Sequence, residues 1–197
     1  MILNHLFTFN MATIAPMNEI DLQRFPELTT KRLLLRQLSE DDVQEIFALR
    51  SNEQINKYID REKQTDLLEA RAFIKTINEK IDQHKCLYWA VCLRNYKKLI
   101  GTICVWNFNP DETVAEIGYE MLPNHQGLGL TTEAVDCIVR FAFLHLSLKT
   151  LLAFTHVENL PSQRLLQKNH FKNDILRKDE TNQNIIVLSL QAKDLII

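Results

Sequence analysis

Basic residues are not in surplus: 23 lysines and arginines stand against 25 aspartates and glutamates, a formal net charge of −2. A chain that covers a phosphate backbone needs a basic face, so this balance weighs against nucleic acid as a partner. Cysteine is sparse, and Cys86, Cys92, Cys104 and Cys137 form no C-x-x-C pair. Three of them lie in apolar strand or helix patterns, which predicts buried thiols in a reducing, cytoplasmic setting rather than disulfides or zinc ligands. No two of the six histidines have H-x-x-x-H spacing, so no metal is expected. Residues 1–16 contain no lysine or arginine, which excludes the charged start of a secretory signal. They are also too short and polar to cross a bilayer, and no membrane partner is expected. Glycine is the scarcest turn-former, with four in 197 residues, and two of these sit in one turn, Gly127 and Gly129.

What is present describes an ordinary globular chain, 46% hydrophobic and 24% charged. Residues 1–20 read as a poorly ordered extension, with Met11 and Met17 as alternative starts. Residues 21–197 read as a single domain without repeats. A strand is expected over 30–38, and Ser39 with Asp42 three residues on reads as a helix start. A short helix carrying Val43, Ile46 and Phe47 follows, then a polar link over 52–62, then a helix over 65–83. Strands at 87–93, 99–108 and 113–122 are separated by two polar turns and make an antiparallel meander. After the glycine turn comes an apolar helix over 132–146, then a strand over 150–155 that should lie parallel to the third meander strand. A short helix opens at Asn159-Leu160-Pro161-Ser162, and strands over 171–177 and 184–190 close the chain as a hairpin. The fold class is mixed α/β, with a mostly antiparallel sheet and one parallel crossover.

The turn His125-Gln126-Gly127-Leu128-Gly129-Leu130-Thr131 lies between a strand and a helix start. That order aims unpaired N–H groups and the positive end of a helix dipole at an anion. The letters exclude two phosphate loops. A dinucleotide fingerprint needs a third glycine, and a nucleoside-triphosphate loop needs Gly-Lys-Ser/Thr. On its own a G-x-G is equally a tight turn.

The sequence resembles the GNAT superfamily of acetyl-CoA-dependent N-acetyltransferases, in particular its RimJ/RimL-like branch. The loop Gln126-Gly127-Leu128-Gly129-Leu130-Thr131 is similar to that family's Q/R-x-x-G-x-G/A signature, and Thr132-Glu133-Ala134 to the branch's continuation. Arg32-Leu33-Leu34-Leu35-Arg36, Asn159-Leu160-Pro161-Ser162 and Val187-Leu188-Ser189-Leu190 match further elements in order, so the likeness covers about residues 28–194. Two positions depart: Thr131 replaces a small residue, and His170-Phe171 replaces Gly-Phe at a helix exit.

The resemblance implies a sheet with helices on both faces and a splayed parallel pair that admits pantetheine. It implies acetyl-CoA as co-substrate, held by Gln126 to Thr131, by the backbone of Tyr119, Glu120 and Met121, and by Asn159. One backbone N–H there would stabilise the oxyanion of the tetrahedral intermediate. Glu116 is the candidate base for the amine, with Glu120 as its rival on the same strand face; a cross-strand pair is the plain alternative for Glu116. Many members protonate the leaving thiolate with a tyrosine at the position that is Leu166 here; Ser162 is the branch-appropriate substitute. Asn159 and Ser162 also fit an ordinary helix start. Tyr58 and Asp60, in the polar link, are candidates for the acceptor pocket. The expected activity is acetyl transfer to a primary amine, such as a ribosomal or other protein N-terminus. A small amine or antibiotic, or a CoA-binding module without turnover, are the alternatives. A monomer and a homodimer are both compatible.

Overall fold

The computed structural model describes residues 25–195; the expectation for residues 1–20 lies outside them. Among the described residues eight strands form one sheet, whose order across the sheet, numbered along the chain, is 1-2-3-4-5-6-8-7. Strand β1 (Leu28–Thr29) and strand β2 (Leu33–Gln37) pair antiparallel at one edge. The strand expected over 30–38 is shorter because Thr30 N–H reaches the Leu33 carbonyl and turns the chain.

The Ser39–Asp42 capping box forms as expected, over a short 3-10 turn leading into α1 (Val43–Ser51). Asp42 is also gripped by both terminal nitrogens of Arg36, at 2.7 Å each, which fastens the helix start to β2. The link over 52–62 is not wholly irregular: Asn52 caps a one-turn helix, α2 (Glu53–Asn56). Asp66 caps α3 (Leu67–Asp82) by accepting from Glu69 N–H at 2.9 Å, a contact of about 1 kcal/mol.

The meander is β3 (Cys86–Leu93), β4 (Tyr96–Trp106) and β5 (Val114–Met121), all antiparallel. Helix α4 (Leu130–Leu144) then crosses to β6 (Thr150–His156), which runs parallel to β5. Helix α5 (Leu160–Lys168), β7 (Lys172–Asn173) and β8 (Ile185–Gln191) finish the domain, with β8 inserted between β6 and β7.

Strand alternation divides the core into two layers. Ala115, Ile117 and Met121 of β5 pack with Trp89 and with the apolar α4, including Val135, Ile138 and Phe141. Tyr88, Ala90 and Cys92 of β3 pack on the other face with Ile46, Leu49, Ile74 and Ile77 of α1 and α3. All four cysteines are free thiols, and burial pushes Cys104 and Cys137 up to about 12. No helix among the described residues is long and apolar enough to cross a membrane.

Candidate active site

The sheet opens in its middle. Strands β5 and β6 are paired only over Val114–Glu116 and Thr150–Leu152. Beyond Glu116, β5 stays with β4 as far as Met121, while β6 stays with β8 as far as His156. Residues 117–121 and 153–156 therefore face each other across a wedge, with inner backbone edges that join no ladder among the described residues. Backbone donors and acceptors in such a place accept an extended, amide-bearing ligand as they would a strand.

The glycine turn closes the narrow path from β5 to α4 beside this wedge. Gly127 and Gly129 have φ of 73° and 72°, the left-handed region that L side chains adopt only at a cost. Gly129 immediately precedes α4, and the first N–H to close a helical turn is Glu133, onto the Gly129 carbonyl at 3.1 Å. The N–H groups of Leu130, Thr131 and Thr132 thus have no carbonyl to bond within the helix. The loop is exposed, and the Gln126 side chain donates to the Met121 carbonyl at 2.8 Å, tying it to the end of β5. Thr131 stands in the first turn of α4 with helical backbone, so its bulk does not oppose the turn.

A clamp holds the loop from outside. Arg32 donates to the Leu128 carbonyl (2.9 Å) and pairs with Glu133 (2.6 Å), and Thr30 and the Arg32 N–H donate to the same carboxylate. Burial works against the Glu133 charge, but these hydrogen bonds outweigh it and hold the carboxyl below its ordinary range.

Glu116 is the last residue of β5 still paired with β6, so its side chain stands at the base of the wedge, on the α1/α3 side. It is half-buried and accepts from Asn107 Nδ2 at 2.6 Å. Burial raises its pKa, Asn107 opposes the rise, and the Asp179 charge adds to it. Glu120 lies on the same face but is gripped by both terminal nitrogens of Arg61, at 2.7 and 2.6 Å.

Tyr119 points to the opposite face, where its hydroxyl meets Ser162 Oγ at 2.9 Å. Burial pushes the Tyr119 phenol up to about 12, so it stays protonated and can act as donor in this pair. Asn159 caps α5 by accepting from Ser162 N–H at 3.3 Å, which is the ordinary helix-start role; its Nδ2 donates to no described residue. Leu166 lies in the core at 1% exposure.

The polar link crosses the mouth of the wedge. Arg61 holds Glu120 of β5, and the Tyr58 ring stacks on His156 of β6 with centroids 5.4 Å apart. Residues 58–61 are therefore fastened to both arms of the opening. Asp60 is exposed and bonds to no described residue, so only Tyr58 of the two acceptor candidates joins the cleft. Arg61, His156 and Asn107 carry no motif in the sequence, and the Arg32–Glu133 clamp joins two motif stretches 101 positions apart. Their roles depend on contacts such as the one between Arg61 and Glu120, 59 positions apart.

The split sheet, the left-handed glycine loop and the helix start at the wedge are the design of the N-acetyltransferases. The sequence profile described as acetyltransferase (GNAT) domain matches residues 32–172, and the chain belongs to that family. It is 32% identical over 160 residues to the uncharacterized N-acetyltransferase YoaA of Bacillus subtilis, covering 81% of this chain and 90% of that one. Two solved structures share the fold. RimL, a ribosomal L7/L12 α-N-protein acetyltransferase in complex with coenzyme A, superposes with a TM-score of 0.72 at 16% identity, over 85% of this chain and 97% of that chain. The microcin C7 self-immunity acetyltransferase MccE, in complex with acetyl-CoA and AMP, gives 0.71 at 17%, over 82% and 93%.

Proposed function

We propose that this N-acetyltransferase takes acetyl-CoA and passes its acetyl group directly to an α-amino group, in the manner of the RimJ/RimL-like branch. The observation that carries this reading is the turn with two left-handed glycines, which opens α4 directly after β5 with its first N–H groups unpaired within the helix. These residues suit a pyrophosphate: Gln126 to Thr131 hold it, and Asn159 supplies its unused Nδ2 to the pantetheine arm. The unpaired edge at Tyr119, Glu120 and Met121 lines that arm as a neighbouring strand would. Acetyl-CoA brings the activated acetyl group and a thiol as leaving group.

Glu116 takes the proton of the incoming amine, directly or through one water. An α-amine, with a pKa of about 8, asks much less of one half-buried carboxylate than a lysine at about 10.4. This favours a protein N-terminus or an α-amino compound as acceptor. Ser162, hydrogen-bonded to Tyr119, keeps a hydroxyl proton available on the thiol side. A small amine is the second reading, and a module that binds CoA without turnover the third. Thiol release from acetyl-CoA, measured over peptides with free N-termini and over small amines, tests all three. Tight binding with no release on any amine would sink the catalytic reading.

A further inference from the structure

Two guanidinium groups stand on the acceptor side of the wedge, and only one is matched. Arg61 is fully engaged: its terminal nitrogens hold Glu120 and its Nε donates to Asn56 Oδ1 at 2.6 Å. Arg50, near the end of α1, has no ion pair and no side-chain hydrogen bond among the described residues. Its guanidinium carbon rests 3.9 Å from the centroid of the Phe73 ring. Its Nε is sealed from solvent without a partner, while its two terminal nitrogens stay open. Its main chain is fixed from two sides, since its carbonyl accepts from Gln64 N–H at 3.2 Å and Asn56 Nδ2 at 3.1 Å. In the same corner, Gln64 Oε1 is likewise sealed without a partner.

The charges around Arg50 do not balance. Burial and the neighbouring Arg61 both work against its cation, and the Glu120 carboxylate that offsets them is already bound to Arg61. An arginine kept for structure alone normally finds a carboxylate or carbonyl, because a half-buried cation without one is costly. Stacking on Phe73 recovers only part of that cost, and it also fixes the guanidinium plane in advance. A planar fork held ready with its two end nitrogens open suits a bidentate anion.

We propose that Arg50 is a specificity-determining residue that binds a carboxylate carried by the acceptor, so that the substrates of this site are amines bearing an anionic group in the same molecule. The inference rests on the acetyltransferase reading. It places the reacting amine toward Glu116 at the base of the wedge and the carboxylate under the α1–α3 layer, beside the residues that bridge the mouth.

The test uses pairs of acceptors that differ only in the anion. One pair is a tripeptide amide with aspartate or asparagine at its second position; another is glycylglycine and its amide; a third is O-phosphoserine amide and serine amide. The expected result is that kcat/KM for thiol release favours the carboxylate member by about tenfold or more. In Arg50→Met the ratio falls to near one, and Arg50→Lys recovers part of it. A preference seen only with the phosphate pair overturns the carboxylate assignment, and a ratio near one in the wild type, or one unchanged in Arg50→Met, overturns the role of Arg50. A binding arm needs no turnover: glutarate, titrated calorimetrically into the CoA-bound protein, should bind the wild type and not Arg50→Met. If no amine releases thiol, the acetyltransferase reading fails and the glutarate titration alone decides the anion site. Absence of glutarate binding to the wild type then overturns it.

Discussion

Replacing Glu116 by glutamine separates its proposed chemistry from its place in the fold. The amide keeps the shape of the carboxylate, and its oxygen can still accept from Asn107 Nδ2, which now reaches the carboxylate at 2.6 Å. What is lost is the capacity to take a proton. A positioned base contributes about 10²–10⁴ in rate, or about 2.7–5.4 kcal/mol at 1.36 kcal/mol per tenfold. For an α-amine near pKa 8 the demand is modest, so kcat/KM at pH 7 should fall by about 10², the lower end. The deficit should shrink above about pH 8, where solution deprotonates the amine unaided.

Burial holds the Glu116 carboxyl above its ordinary range, and only the deprotonated form accepts a proton, so the wild-type rate climbs as pH rises through that raised pKa. Asn107→Ala removes the hydrogen bond that opposes the rise, and should move the climb to higher pH. Stability runs the other way. A carboxyl with a raised folded pKa favours the folded state while protonated, and that contribution is lost as pH rises from the unfolded value through the folded one. Glu116→Gln should therefore unfold at pH 7 in urea no more easily than the wild type, despite its lost activity. A variant with rate within threefold of wild type and an unchanged acid limb would refute the assignment. An equal loss in Glu120→Gln, with Glu116→Gln silent, would transfer the role to Glu120.

Three further perturbations follow from the contacts. His170 holds φ at 66° where a glycine would rest without strain, so His170→Gly should stabilise the fold by about 1 kcal/mol, raising Tm by about 2–4 °C in calorimetry. Arg61→Ala leaves the Glu120 carboxylate, 12% exposed, without its partner and should cost about 3 kcal/mol in denaturant. Adding Glu120→Ala should return part of that loss. Glu133→Gln should cost at most about 1 kcal/mol, since its Arg32 partner is 43% exposed. Because the Glu133 pKa is lowered on folding, that difference should be present at neutral pH and vanish as pH falls through the depressed folded value.

The glycine loop proposed to hold the cofactor was legible as a turn because its conformation is a backbone property, written in one contiguous stretch. Two of four glycines in a single turn can be read directly, and their φ of 73° and 72° is what that density was for. Element order was legible for a similar reason: helical and alternating periods are local, and each expected element has its counterpart. Edges were not. The strand read over 171–177 shrinks to Lys172–Asn173, because Ile175 and Leu176, apolar in sequence, are 83% and 91% exposed and pair with nothing that would bury them.

The side proposed for the acceptor was the least legible, for a physical reason. Side chains build it, from segments with no pattern of their own. Arg61 meets Glu120, Tyr58 meets His156, and Arg50 meets Phe73 only after α1, α3 and the sheet have packed. Tyr119 shows the difference within one residue: its backbone is part of the wedge edge that the loop motif implies. Its hydroxyl, by contrast, finds Ser162 43 positions away, on the face opposite Glu116. A left-handed glycine loop can thus be recognised from its letters, whereas the charge imbalance around Arg50 arises only when two arginines and one carboxylate are brought to the same corner.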